Sequence, residues 1–323
     1  MSNLGKPKIS FSGRLNASIL FAITPEYPIV RRRKVKSYGT KPTFERPASL
    51  PMEFEEIEGV RIRYARSGPQ DAPTIILLSP LPQSIVAFAP IWQRLTESYN
   101  VYAYDMPGFG RSEGGKEYMN FEAQGRFLGQ FIESHNIRRP HIVGPDIGMP
   151  AALYYVIHLP NEVESLVIGD GPGIMPSSNG SIINKMVQSK FWRMVFSITG
   201  SNAFVHGANC IGYINYSPNQ EEVSDYIKSY KGRIRSVMQW FRNYSSSIDT
   251  VDPKLADIDT PTLIFWGDQD QFLLLDNAER LNQRLKKSKL HVFDNCGHFS
   301  YQDKYSDFSI MLSNWVDGQF REV

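Results

Sequence analysis

From residue 53 onward the chain alternates between short apolar runs and longer segments whose apolar residues recur at helical spacing. Residues 54–57 and 60–65, separated by Glu58-Gly59, predict a hairpin. Apolar runs at 74–78, 101–104, 141–143 and 163–168 predict buried strands, and 87–98, 120–135 and 149–159 predict the helices around them. In 120–135, Phe121, Phe127, Leu128, Phe131 and Ile132 fall at helical spacing. Strands that are apolar throughout must be covered on both faces, so the pattern predicts an α/β fold with a mostly parallel sheet between helices. Ligands are then expected at the carboxyl ends of the strands.

The alternation breaks after Asp170. Residues 171–257 divide into aromatic-rich helical pieces such as 191–197 and 237–244. Strand pattern resumes at 262–266 and 289–293, with helices at 275–285 and 305–315. One core made of residues 51–170 and 258–323, carrying an inserted helical cap at 171–257, accounts for the whole pattern. Residues 1–50 show no sustained hydrophobic period and read as an N-terminal arm on that core. The basic cluster Arg31, Arg32, Arg33, Lys34 and Lys36 reads as a solvated charge run, with an acidic membrane or partner as the alternative.

Composition narrows the partners. With 41% hydrophobic and 21% charged residues and a net charge of +2, the 323-residue chain has ordinary globular balance and no strong attraction to nucleic acid. A small hydrophobic organic substrate and water are the expected partners, and a homo-oligomer is compatible with the sequence. The two cysteines, Cys210 and Cys296, form no repeated spacing, which argues against a disulfide framework or a zinc site. No nucleotide-binding glycine pattern or metal cluster stands out, so no cofactor and no metal are expected. No apolar run approaches the ~20 residues of a membrane span, and 19–23 is short even for a signal-peptide core. No integral membrane segment and a cytoplasmic location are the expectation.

Chemistry concentrates in loops after predicted strands. Gly144-Pro145-Asp146-Ile147-Gly148 joins an apolar strand to a helix in the pattern of a strand-turn-helix elbow, whose tight turn lifts the central side chain above the sheet. An aspartate is ionised at neutral pH, its ordinary pKa being about 3.9, so Asp146 needs no base to activate it. A carboxylate attacks a saturated carbon bearing a leaving group to give an ester, whereas attack on a carbonyl would give a reactive anhydride. Asp146 therefore points away from esterase chemistry. His298, in Gly297-His298-Phe299 after the last strand, is the candidate base that activates water against that ester. Asp270 is the candidate acid that orients it, with Asp268 as a loop-capping neighbour and Asp170 as an alternative acid. The backbone N–H groups of Ile147 and of Leu81, in Ser79-Pro80-Leu81-Pro82, are candidate oxyanion donors. A cis bond before Pro82 is expected to be accessible.

Taken with Asp105-Met106-Pro107-Gly108-Phe109-Gly110-Arg111-Ser112, these residues make the chain, from Met52 onward, similar to the α/β-hydrolase fold superfamily. It resembles the aspartate-nucleophile branch, the epoxide hydrolases and the haloalkane or haloacid dehalogenases. The order nucleophile, acid, histidine matches, and the Asp105 to Ser112 loop marks the fold alone. Haloalkane dehalogenases typically carry Trp where this chain has Ile147, and many carry Asn where it has Leu81. Fluoroacetate-type enzymes have Arg at 147. The Asp-Ile-Gly sequence and Gln83 resemble a branch of bacterial epoxide hydrolases instead, so the resemblance implies opening of an epoxide to a vicinal diol.

Ring opening needs a donor to the departing oxygen. Gln239-Trp240-Phe241-Arg242-Asn243 is similar to a family stretch that carries the ring-opening tyrosine, here replaced by Phe241. The first donor position falls near Trp192, whose indole can donate but cannot act as an acid. Tyr213, Tyr216, Tyr244 and His206 are substitutes. A dehalogenase, with Trp192 holding halide, is the second reading, and a ligand-binding or catalytically altered homologue is the third.

Overall fold

A computed structural model describes residues 8–22, 24, 25, 28, 42–46 and 49–318, so the basic cluster at 31–36 lies outside the described residues. Among these, eight strands form one sheet in the order β1-β2-β4-β3-β5-β6-β7-β8. They are β1 (Met52–Ile57), β2 (Val60–Ser67), β3 (Thr74–Leu78), β4 (Asn100–Tyr104), β5 (His141–Pro145), β6 (Ser165–Gly169), β7 (Thr262–Gly267) and β8 (Ser288–Phe293). The β1–β2 pair is antiparallel with Ile57 opposite Val60. Glu58 and Gly59, with φ of 49° and 75°, supply the two left-handed residues such a tight hairpin demands. β2 also runs antiparallel to β4, and the remaining pairs are parallel. β4 to β7 are buried along their length, which is why they read as continuous apolar runs, while β8 at the edge stays half-buried.

The helices are α1 (Phe11–Ala22), α2 (Ala89–Thr96), α3 (Phe121–Ser134), α4 (Gly148–His158), α5 (Ser181–Gln188), α6 (Lys190–Gly212), α7 (Gln220–Tyr230), α8 (Ile234–Ile248), α9 (Asp276–Arg284), α10 (Ser300–Asp303) and α11 (Tyr305–Asp317). α2 begins two residues later than the apolar spacing predicts. A short 3-10 turn, Ile85–Phe88, precedes it, and Pro90 sits in its first turn, where a missing N–H costs nothing. α3 starts where Asn120 accepts from the Ala123 N–H at 2.8 Å.

Helices α5 to α8 are inserted between β6 and β7. Arg63 on β2 ties this insertion to the core. Its Nε donates to Asp105 at 2.6 Å, and its two terminal nitrogens donate to Asp225 on α7 at 2.8 and 2.9 Å. Asp105 is fully buried and also accepts from the Ile85 and Arg111 amides at 2.8 Å. A Cβ on Gly110 would stand 2.1 Å from the Asp105 carboxyl carbon, so this loop can close around its carboxylate only with glycine there.

Within residues 1–50, read from the sequence as an arm without a sustained hydrophobic period, the structure forms helix α1. Ser10 accepts from the Gly13 N–H at 3.1 Å and caps the helix. α1 packs closely on α6, where a Cβ at Gly13 would meet Asn202 Cβ at 2.6 Å. Its period was hidden because apolar residues occupy both faces: Ala17 is buried, whereas Phe11, Leu15 and Ile19 are exposed. α6 is itself broken at Gly200, whose φ of 79° is not helical.

Candidate active site

Asp146 occupies the turn between β5 and α4 with φ of 50°, in the left-handed region that few side chains tolerate. Its neighbours must be small. A Cβ at Gly144 would lie 2.7 Å from the Gly148 carbonyl oxygen, one at Gly148 would lie 2.7 Å from Leu78 Cβ, and one at Gly171 would lie 2.3 Å from the Asp146 carbonyl oxygen. The turn aims the carboxylate at the loop after β3. There the Leu81 N–H donates to Asp146 Oδ2 at 2.6 Å, and the Leu81–Pro82 bond is cis. Ile147, the other expected donor, is buried at the start of α4 and, like Leu81, lines the cavity beside Asp146.

Loops after β7 and β8 complete the cluster. His298 Nδ1 lies 2.7 Å from Asp270 Oδ2, and its Nε2 lies 3.7 Å from Asp146 Oδ1. The second Asp270 oxygen accepts from the Phe272 and Leu273 amides at 2.7 and 3.1 Å, which fixes the carboxylate. Burial acts to lower the His298 pKa, but the Asp270 and Asp146 carboxylates outweigh it and hold the imidazole well above its usual range. Asp268 accepts from the Cys296 N–H at 2.9 Å and shapes the histidine loop. Asp170, the alternative acid, accepts instead from Ser300 Oγ at 2.5 Å and the Gly267 N–H at 3.2 Å. Burial, then the nearby Asp270 charge, pushes its carboxyl well above the usual range.

Above Asp146 and His298 lies a cavity into which both side chains face. Its walls are mainly apolar, with Ile182, Met186, Phe196, Trp240, Phe241 and Phe272 prominent. Tyr244 is the one phenol among the described lining residues. Its hydroxyl donates to Asn179 Oδ1 at 3.0 Å and is 3.0 Å from Ser177 Oγ. Burial raises its pKa and keeps it protonated.

The other expected donors lie elsewhere. Trp192 is half-buried outside the cavity lining, with Lys185 Nζ 4.8 Å from its ring centre. Tyr213 is buried and also outside the lining, its hydroxyl donating to Gln302 Oε1 at 2.5 Å and accepting from Gln83 Nε2. Tyr216 donates to Glu222 at 2.6 Å, and His206 is buried away from the lining. Sequence reasoning missed Ala17 and Leu20 of α1, which form part of the cavity wall. It also missed Asp303, which accepts from the Gly297 amide at 2.9 Å and from the amides of 214–216, clamping the histidine loop to the insertion. Among the described residues no group of three or more His, Cys, Asp or Glu could hold a metal ion. No helix there is long and apolar enough to cross a membrane.

Comparison with known proteins gives the fold its relatives. The family model described as alpha/beta hydrolase fold matches residues 73–305. The 2-hydroxy-6-oxononadienedioate/2-hydroxy-6-oxononatrienedioate hydrolase of Cupriavidus pinatubonensis is 24% identical over 237 residues, covering 68% of this chain and 76% of the relative. Haloalkane dehalogenase DbeA from Bradyrhizobium elkani superposes with a TM-score of 0.73 at 18% identity, over 84% of this chain and 99% of its own. A membrane phospholipase A described as a bacterial virulence factor superposes with a TM-score of 0.70 at 20% identity, over 95% of this chain and 96% of its own.

Proposed function

Because the chain belongs to the α/β-hydrolase fold family, we propose that it hydrolyses small apolar epoxides to vicinal diols through an ester on Asp146. The observation that carries this reading is the carboxylate itself, set at the elbow with Leu81 N–H on Oδ2 and His298 near Oδ1. Oδ1 attacks an epoxide carbon, the C–O bond breaks, and the ring oxygen takes a proton. The Tyr244 hydroxyl, turned from Asn179 toward the cavity, supplies it. Neutral His298 then takes a proton from water, and the hydroxide adds to Cγ of the ester. Negative charge collects on Oδ2, where the Leu81 N–H already points and the Ile147 N–H adds a second donor. Collapse releases the diol as His298 returns the proton, the new Asp146 carboxyl gives up its proton to restore the Tyr244 phenol, and Asp270 holds the ring throughout.

The apolar cavity fits an apolar substrate. Halide release needs no proton, so an alkyl halide is the second substrate class that the same Asp146 attack admits. A single turnover in heavy-oxygen water tests the covalent step. Solvent oxygen is expected in Asp146 while the diol carries an oxygen from the protein. Label appearing directly in the diol excludes the ester.

A further inference from the structure

We infer that the outer face of α1 and of the first half of α6 is a docking surface for an anionic lipid bilayer. Phe11, Leu15 and Ile19, four residues apart, form one stripe of α1 and are 81, 48 and 57% exposed. On α6, Phe191, Met194 and Ile198 form a second stripe, 60, 56 and 78% exposed. The two helices pack on each other, with the Ser10 N–H donating to Asn202 Oδ1 at 3.3 Å. A helix that is apolar on both faces is normally covered on both. Here the inner faces are used, since Ala17, Leu20 and Phe196 line the cavity, and among the described residues the outer faces stay exposed. Single exposed apolar residues need no explanation, but six on two adjoining helices mark an interaction surface.

Charge selects the occupant. No acidic residue occurs between Asp170 and Glu221, the stretch that contains α5 and α6, while Lys185, Lys190 and Arg193 do. Among the described residues at and just before α1, 8–22 contain no acid, while Lys8 and Arg14 are both exposed. The rest of the chain carries the excess of acid that brings the total to +2. Apolar side chains set among cations with no carboxylate suit the headgroup boundary of an anionic bilayer. A second copy would bring the same positive excess to a self-complementary contact, which opposes it. Docking on this face lays a wall of the cavity against the layer into which apolar molecules partition.

The surface is independent of the Asp146 chemistry, and its test reads binding alone. Full-length protein is sedimented with phosphatidylcholine vesicles, with and without phosphatidylglycerol, beside a Phe11→Ser/Ile198→Ser variant and Asp146→Asn. Phosphatidylglycerol vesicles are expected to carry down wild type and Asp146→Asn alike, less so as salt rises. The double variant is expected to lose at least about tenfold in partition. Thermal melting checks its fold, and Met194→Ser serves as the second probe if the double variant melts early. Equal partition of variant and wild type, equal binding to uncharged vesicles, or no binding to either overturns the proposal. A dimer that the double variant dissolves, without vesicle binding, overturns it in favour of a second copy.

Discussion

The Leu81 N–H donates to Asp146 Oδ2 across 2.6 Å, which leaves Oδ1 as the carboxylate oxygen facing His298. The two oxygens of one side chain are thus told apart by their surroundings before any substrate arrives. On the proposed route the held oxygen becomes the ester carbonyl, and the other forms the bond to carbon.

Replacing His298 by Gln removes the proposed base but leaves Asp146 and its donor in place. Mass spectrometry of the elbow peptide is expected to find the substrate attached, with turnover reduced by about 10²- to 10⁴-fold. Unchanged turnover, or no adduct with a range of epoxides and alkyl halides, removes His298 from the role of base.

The elevated His298 pKa depends on both carboxylates, and ester formation abolishes the charge of one. The imidazole is therefore expected to become a better-populated base once the ester exists. Asp146→Asn imitates that loss and should lower the titration of His298 followed by NMR. Because the folded value lies above the unfolded one, the charged cluster stabilises the fold at low pH, and that contribution fades as pH rises through the folded value. A titration unmoved by Asp146→Asn would show that Asp270 alone sets it.

Tyr244→Phe separates proton donation from attack. Epoxide opening is expected to slow by about 10²-fold, while attack on an alkyl halide of similar size changes little. Equal losses on both substrates would assign Tyr244 to packing.

Gly171→Ala places a methyl 2.3 Å from the Asp146 carbonyl oxygen and must push the elbow aside. A stability loss of about 1–3 kcal/mol is expected from calorimetry, with kcat reduced by about 10²-fold if the carboxylate moves by an ångström. Wild-type values for both would mean that the turn has slack the close approach hides.

His141 is buried beside Ser165 Oγ at 2.8 Å, and burial lowers its pKa from 6.5 to about 4. Between those two values the unfolded chain takes a proton that the native state refuses, so stability falls as pH drops. The loss approaches about 3 kcal/mol at the lower end. His141→Gln should make the acid limb shallower in urea titrations at pH 7 and near pH 4.5. An unchanged slope would assign acid sensitivity to the carboxylates.

The sheet and its loops were legible because β3 to β7 are buried on both faces and so spell themselves as apolar runs. Asp146 and Asp270 each follow such a run and His298 follows the half-buried β8, and the three strand ends bring them within contact distance. Helix faces were harder. Trp192 and Phe196, one turn apart, share a face of α6, yet only Phe196 reaches the cavity, while Trp192, nearer the helix start, lies beside Lys185 outside it. Tyr213, just past the end of α6, is drawn into a polar network by Gln83 and Gln302, partners that no local pattern reveals. Phe241 and Tyr244, three apart on α8, share the cavity face, so the phenol sits one turn beyond the position that local similarity suggested.

Two residues of the cavity wall, Ala17 and Leu20, come from a helix that precedes every strand of the sheet. Whatever fills the cavity therefore meets a stretch of chain that contributes no strand to the sheet. Size changes at positions 17 and 20 can retune which molecules are accepted while the elbow, the histidine and the sheet stay untouched, and an alignment begun at the first strand overlooks that dial.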